Sequence, residues 1–169
     1  MQLKNKFGIN SPMTIKEKII ATLGLWKFGI TKIPLIFFIR PRIIEMNSKK
    51  CVVKIPFKRR TKNHLKSMYF GALSIGADLA GGLIAMNAIK KSNVKVNLIF
   101  KDMKVDFLKR VEGDAYFTCT DGELIKELVQ TAIDTKERVS MPLSITTTVP
   151  DKFNDEPVAE FVLTISLKA

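Results

Sequence analysis

"NHLKSMYFGALSIGADLAGG", residues 63–82, is the stretch that decides how this chain folds. It reads as a helix, apolar on nearly every side from Met68 to Met86, so the helix belongs inside the molecule. Gly71, Gly76, Gly81 and Gly82 each cost about 1 kcal/mol of helix stability relative to alanine. That cost is tolerable where a ligand or another backbone must come close, as under a sheet that wraps the helix. Asp78 breaks the apolar pattern. A buried carboxylate must be paired, hydrogen-bonded or protonated, because isolated burial of its charge costs several kcal/mol. Two roles fit: a satisfied structural aspartate, or a general base or nucleophile whose pKa is raised by desolvation in an apolar cleft. The free N–H groups at the start of the helix, near Tyr69 to Gly71, can hold a developing oxyanion about two turns upstream.

Outward from this helix the pattern changes period. "CVVKIPF" (51–57) is a short β-branched strand, and "KRRTKNH" (58–64) is a basic loop. "KKSN" (90–93) ends the helix with lysines at the negative end of its dipole. "VKVNLIF" (94–100) and "DMKVDFLKRV" (102–111) are strand material. In the second, Met103, Val105 and Phe107 alternate with Asp102, Lys104 and Asp106, as on a half-buried strand. "EGD" turns into the strand "AYFTCT" (115–120). Thr120 and Glu123 then form a capping-box pattern on a short helix with Leu124, Ile125, Leu128, Val129, Ala132 and Ile133 on one face. "VSMPLSITTTV" (139–149) and "PVAEFVLTISLKA" (157–169) alternate again as strands. Short turns between the later strands predict an antiparallel sheet with an apolar helix packed on it, an α+β domain over residues 50–169.

Residues 1–49 read as an N-terminal helical extension packed on that domain. Ile19, Ile20, Leu23, Trp26 and Ile30 form a helical stripe, and "KIPLIFFIRPRIIEM" (32–46) follows with Pro34 and Pro41 starting or breaking turns. Lys27, Lys32 and Pro34 interrupt the apolar run, which argues against a membrane span. Core packing or a dimer contact is one use of the stripe. A weak membrane-surface contact, with the lysines toward anionic lipid, is another.

Lys and Arg number 28 against 16 Asp and Glu, a formal net charge of +12. The excess suits an anionic partner, be it nucleic acid, a membrane surface or a phosphorylated ligand, or simply a solubilising surface. Nucleic acid is the weakest of these, since the basic residues are scattered and no stacking or helix-turn-helix motif occurs. Cys51 and Cys119 are too few for a disulfide framework and nothing resembles a cleaved signal peptide, so a reducing cytoplasm is expected. His64 is the only histidine and no Cys-x-x-Cys occurs, so no metal site is expected.

The spacing of Asn63, Gly71 and the Ala77-Asp78 pair resembles the hotdog-fold acyl-CoA thioesterases, particularly the phenylacetate-degradation type. In that family an asparagine precedes a glycine-rich turn and a His-Gly-Gly triplet, and an Ala-Asp pair follows on the central helix. Read without gaps, Asn63 falls on the asparagine, Gly71 on the end of the triplet and Asp78 on the aspartate. "DFLKRVEGD" (106–114) is similar to the family's aromatic residue and Gly-Asp turn. The resemblance covers residues 50–169, and the N-terminal helices resemble a less characterised branch of the superfamily. This sequence departs from the pattern at four places. Tyr69 stands at the histidine, Phe70 at the next glycine and Lys66 at the earlier glycine. Phe100 stands near the position where some relatives carry a serine or threonine.

The resemblance implies a hotdog fold, an antiparallel sheet wrapped around a long central helix, paired as a homodimer or homotetramer with the site at the seam. It implies that Asp78 activates water or attacks the thioester carbonyl, with Asn63 positioning the carbonyl or the water. The backbone N–H groups of Phe70 and Gly71 would polarise the carbonyl, and Tyr69 could offer a hydroxyl. Lys58, Arg59, Arg60, Lys62 and Lys66 are the nearest groups for the phosphates of coenzyme A. No cofactor is expected beyond the coenzyme A of the substrate. The alternative is a hotdog protein that binds acyl-CoA or an acyl chain without hydrolysing it, for which the replaced histidine and glycine speak.

Overall fold

Six antiparallel strands and one long helix make the frame of the computed structural model, which describes residues 13–169. The first twelve residues of the expected 1–49 extension lie outside the described residues. Helices α1 (Ile15–Lys32) and α2 (Pro34–Ile39) lead into strands β1 (Arg42–Met46) and β2 (Cys51–Ile55). Helix α3 (Phe70–Ser92) follows, then β3 (Asn97–Phe107), β4 (Ala115–Cys119), helix α4 (Gly122–Thr135) and β5 (Val139–Thr148). A one-turn helix, α5 (Pro150–Phe153), precedes the last strand, β6 (Pro157–Lys168). The sheet order is β1-β2-β4-β5-β6-β3, so α3 leaves one edge region and the chain returns at the far edge. α3 packs on β2, β4, β5 and β6 and against α4. This is the hotdog fold.

Alternation puts the core where the sequence predicts it. Leu143, Ile145 and Thr147 of β5 and Phe161, Leu163 and Ile165 of β6 face α3 and are buried. Gly76 shows why α3 tolerates glycine: a Cβ there would stand 2.3 Å from the buried Phe117 ring. By length and composition α3 could cross a membrane, yet here it is the core helix of the sheet.

Several local expectations are corrected. The helix does begin in the expected region, Tyr69 to Gly71, and what precedes it is a loop that runs past residue 64 and is closed by Asn63. Its Oδ1 accepts from Leu65 N (2.9 Å) and Ser67 N (3.1 Å), and α3 starts only at Phe70. The strands expected over 94–100 and 102–111 are one strand, β3, irregular between Phe100 and Asp102. "RIIEM" is a strand rather than part of the helical run, since β2 offers it a ladder to pair with. The Thr120–Glu123 capping box does not form. Asp121 occupies the cap position, its carboxylate accepts from Ser144 N (2.7 Å), and Leu124 points to solvent.

Of the uses expected for the apolar stripe of α1, core packing within the chain is not the one it serves. Ile19, Ile20, Leu23 and Ile30 are exposed; Leu25 and Gly29 are the buried residues of the helix, which packs on α2, with Gly29 against Phe37, and on β1. Helix α1 is therefore apolar on two faces, and packing inside this chain uses only one of them.

Candidate functional site

The loop 61–69 is built by its own short-range bonds and then pinned to the end of β3. Thr61 is buried, and its hydroxyl donates to Pro56 O (2.8 Å). Tyr69 N donates to Thr61 O (2.8 Å), Met68 N to Val111 O (2.7 Å), and Arg110 Nη2 to Leu65 O (2.7 Å). Lys66 sits in this loop at φ 63°, the left-handed region that glycine enters freely and a lysine enters at a cost. That conformation stands where the resembled family carries its earlier glycine.

Asp114 steadies the basic segment from below. Burial works to raise its carboxyl, but the bonds from Lys54 Nζ (2.8 Å) and Phe57 N (2.7 Å) prevail and hold it below the usual range.

Between the loop and the end of β3 lies an open cavity of about 550 Å³. Asn63, Tyr69 and Phe70 line it from the loop, and Leu108, Lys109 and Arg110 line it from the other side. His64 also borders it. The Asn63 amide is largely engaged within its own loop, with Nδ2 donating to Ser67 Oγ at 3.0 Å. The Tyr69 and Phe70 rings stand together at 4.7 Å between centroids and are about half exposed. The Tyr69 ring lies over Gly71, where a Cβ would meet it at 2.5 Å.

Helix α3 begins at the wall of this cavity with no side-chain cap from Tyr69. The N–H groups of Phe70 and Gly71 donate to no described residue, so the positive end of the helix is open here. Eight residues on, about 12 Å along the axis, comes Asp78. Ser74, Ile75 and Asp78 form a half-open stripe in the first half of the helix, between buried Ala72, Leu73, Gly76, Ala77, Leu79 and Ala80. Burial raises the Asp78 carboxyl above its ordinary range, and no described residue forms an ion pair or hydrogen bond with it. Asp78 does not line the cavity, and its Oδ1 lies 3.8 Å from where a Cβ on Gly82 would stand.

The five basic residues of the loop do not gather at the cavity. Arg60 Nη1 donates to Phe38 O (3.3 Å) beside α2, with Arg59 next to it in the same turn. Lys62 Nζ lies over the Phe57 ring at 4.1 Å, and Lys58 and Lys66 are exposed. The cations that do line the cavity, Lys109 and Arg110, carried no periodic or motif signal; the pairing of β3 with β6 brings them there.

The family described as Domain of unknown function (DUF4442) matches residues 25–164. No curated protein matches. Among solved structures, a protein with unknown function from Chlorobaculum tepidum TLS superposes at TM-score 0.75 with 14% identity, over 89% of this chain and 96% of that one. A Pseudomonas aeruginosa protein described as "Probable Thioesterase" gives TM-score 0.72 and 24% identity, over 87% and 95%. A thioesterase from Haemophilus influenzae gives 0.61 and 10%, over 93% and 92%. At these identities the likeness carries the fold.

Proposed function

We propose, for a chain that belongs to the DUF4442 family, that it is an acyl-CoA thioesterase-like hydrolase working as a homodimer. The observation that carries this is Asp78: a carboxylate unpaired among the described residues and raised by burial, on the half-open stripe of a helix whose first N–H groups are free. Desolvation brings a carboxylate toward the pKa a general base needs near neutral pH. The thioesterases among the structural neighbours support the same reaction class.

In this reading Asp78 takes a proton from water as the water oxygen bonds to the thioester carbon. The carbonyl electrons move to oxygen, and the oxyanion rests on the N–H groups of Phe70 and Gly71. When the intermediate collapses, the carbon–sulfur bond breaks and the coenzyme A sulfur recovers the proton from Asp78. Asn63 orients the carbonyl or the water with the Nδ2 hydrogen its loop leaves free, and Tyr69 borders the acyl group. Lys109 and Arg110, the cations that line the cavity, meet the phosphates.

The distance between Asp78 and the cavity is the reason for the dimer. β3 is an 11-residue edge strand with exposed Ile99, Met103 and Phe107, a surface that native proteins cover or pair. Two copies paired antiparallel about the middle of β3 put the Phe107 end of one beside the Phe100 end of the other. The cavity of one protomer then meets Asp78 of the partner subunit.

Thiol release from a panel of acyl-CoA esters tests the assignment. Asp78→Asn should lower turnover by about 10²–10⁴-fold while leaving binding in place. An Asp78→Asn protein as fast as the wild type would end this reading. The non-hydrolytic alternative is favoured by Phe70, whose ring crowds the mouth of the cavity. It would be chosen by a wild type that shows no turnover but is thermally stabilised by acyl-CoA.

A further inference from the structure

The N-terminal helices present a surface that packing inside the chain does not explain. Ile15, Ile19, Ile20, Leu23, Ile30, Ile33, Leu35 and Phe38 are between 44% and 78% exposed. At 3.6 residues per turn, Ile15, Ile19, Leu23 and Ile30 fall within about 80° of arc on α1, and Lys16 and Lys27 follow directly beyond them. Ile33 at the helix junction and Leu35 and Phe38 of the adjoining α2 are exposed as well.

The helix pair is held in this pose. Trp26 Nε1 donates to Pro41 O (2.7 Å), and Ile43 N donates to the Thr22 hydroxyl (3.0 Å). The Gly29 backbone meets Phe37 so closely that a Cβ would stand 2.7 Å from Phe37 N, and the Arg40 guanidinium stacks on the Phe37 ring at 3.9 Å. The inner face is thus committed to the domain, and the outer face has no route inward.

Charge decides what the outer face meets. From residue 15 to 42 there are six basic residues, Lys16, Lys18, Lys27, Lys32, Arg40 and Arg42, against one acidic residue, Glu17. The Arg59–Arg60 turn adds to the same side, since Arg60 bonds to the Phe38 carbonyl. Two copies joined through this face would bring like charges together, whereas an anionic surface would neutralise them. An apolar arc rimmed by lysines, on a chain of net charge +12, is the pattern of a helix that lies in the headgroup region of anionic lipid.

We infer that α1 and α2 dock the protein on anionic membrane surfaces, with Ile15, Ile19, Leu23, Ile30, Leu35 and Phe38 entering the interface and the lysines snorkelling to the headgroups. The inference does not rest on thioesterase activity.

Co-sedimentation of the full chain with phosphatidylcholine vesicles containing about one-third phosphatidylglycerol tests it. The wild type should pellet with these vesicles, stay in solution with pure phosphatidylcholine, and be released as salt rises from about 50 to 500 mM. The triple variant Ile19→Gln, Leu23→Gln, Ile30→Gln replaces exposed side chains with good helix formers. It should keep its thermal midpoint and lose at least about tenfold in vesicle partitioning. Lys16→Glu, Lys27→Glu, Lys32→Glu should abolish the preference for anionic vesicles. A wild type that ignores anionic vesicles at low salt overturns the inference, as does a glutamine variant that binds them unchanged. A wild type that ignores vesicles, with a glutamine variant of halved mass in light scattering, would assign the face to a second copy instead.

Discussion

Asp78 Oδ1 and the Phe100 ring converge on one point of α3, lying 3.8 and 3.6 Å from where a Cβ on Gly82 would stand. The bare backbone at Gly82 therefore leaves open a space that both the carboxylate and the ring border. Burial with no opposing partner among the described residues is the reason its pKa rises.

The stability of the protein should report that burial. Because the folded pKa of Asp78 is raised above the unfolded one, its contribution is most favourable at acid pH, where both states are protonated. Stability is lost as pH climbs through the unfolded and then the folded value. Asp78→Asn should accordingly melt higher than the wild type at neutral pH, with the gain vanishing below about pH 4. Thermal melts across pH would show this, and an equal or lower midpoint at pH 7 would contradict it.

Two glycines on the same helix should answer an added methyl in opposite ways. At Gly76 the methyl would collide with the Phe117 ring, itself fully buried, so Gly76→Ala should destabilise by about 1–3 kcal/mol. At Gly82 it meets only ordinary contacts, so Gly82→Ala should be neutral or gain up to about 1 kcal/mol of helix propensity. The Gly82 methyl would also strip water from Asp78, and the acid limb of the thiol-release profile should move to higher pH. Denaturant midpoints and pH–rate profiles read out both.

Lys66 should be more comfortable as glycine. Its φ of 63° costs a lysine about 1–2 kcal/mol, less the entropy that glycine gives up. Lys66→Gly should stabilise by up to about 1 kcal/mol, and a clear loss of stability would show that the lysine side chain does something the loop needs.

The two thiols should be silent in the native protein. Cys51 and Cys119 face each other across β2 and β4, both buried, and burial raises both thiols, Cys119 to about 11. A thiol reagent at pH 8 should label neither until denaturant is added.

Much of the domain was legible in the chain because its signals are local. Period-two alternation marked β5 and β6, and an all-round apolar run with glycines marked a helix to be wrapped. Asp78 stood out because a carboxylate in such a run demands a reason. The loop before α3 was less legible, since the Asn63 side chain takes the backbone N–H groups of Leu65 and Ser67 for itself. β1 was hidden because an apolar run carries no period until a neighbouring strand offers it a ladder.

The amino-acid sequence by itself determined most of the elements, the buried helix and the one carboxylate inside it, since these follow from residue type and spacing along the chain. Only the tertiary structure decided which surfaces were left over. It put Lys109 and Arg110 in one cavity with Asn63, left Asp78 out of that cavity's lining, and turned the α1 stripe outward. Those outcomes depend on which of several apolar faces finds a partner, and partners distant in sequence leave no mark in local spacing.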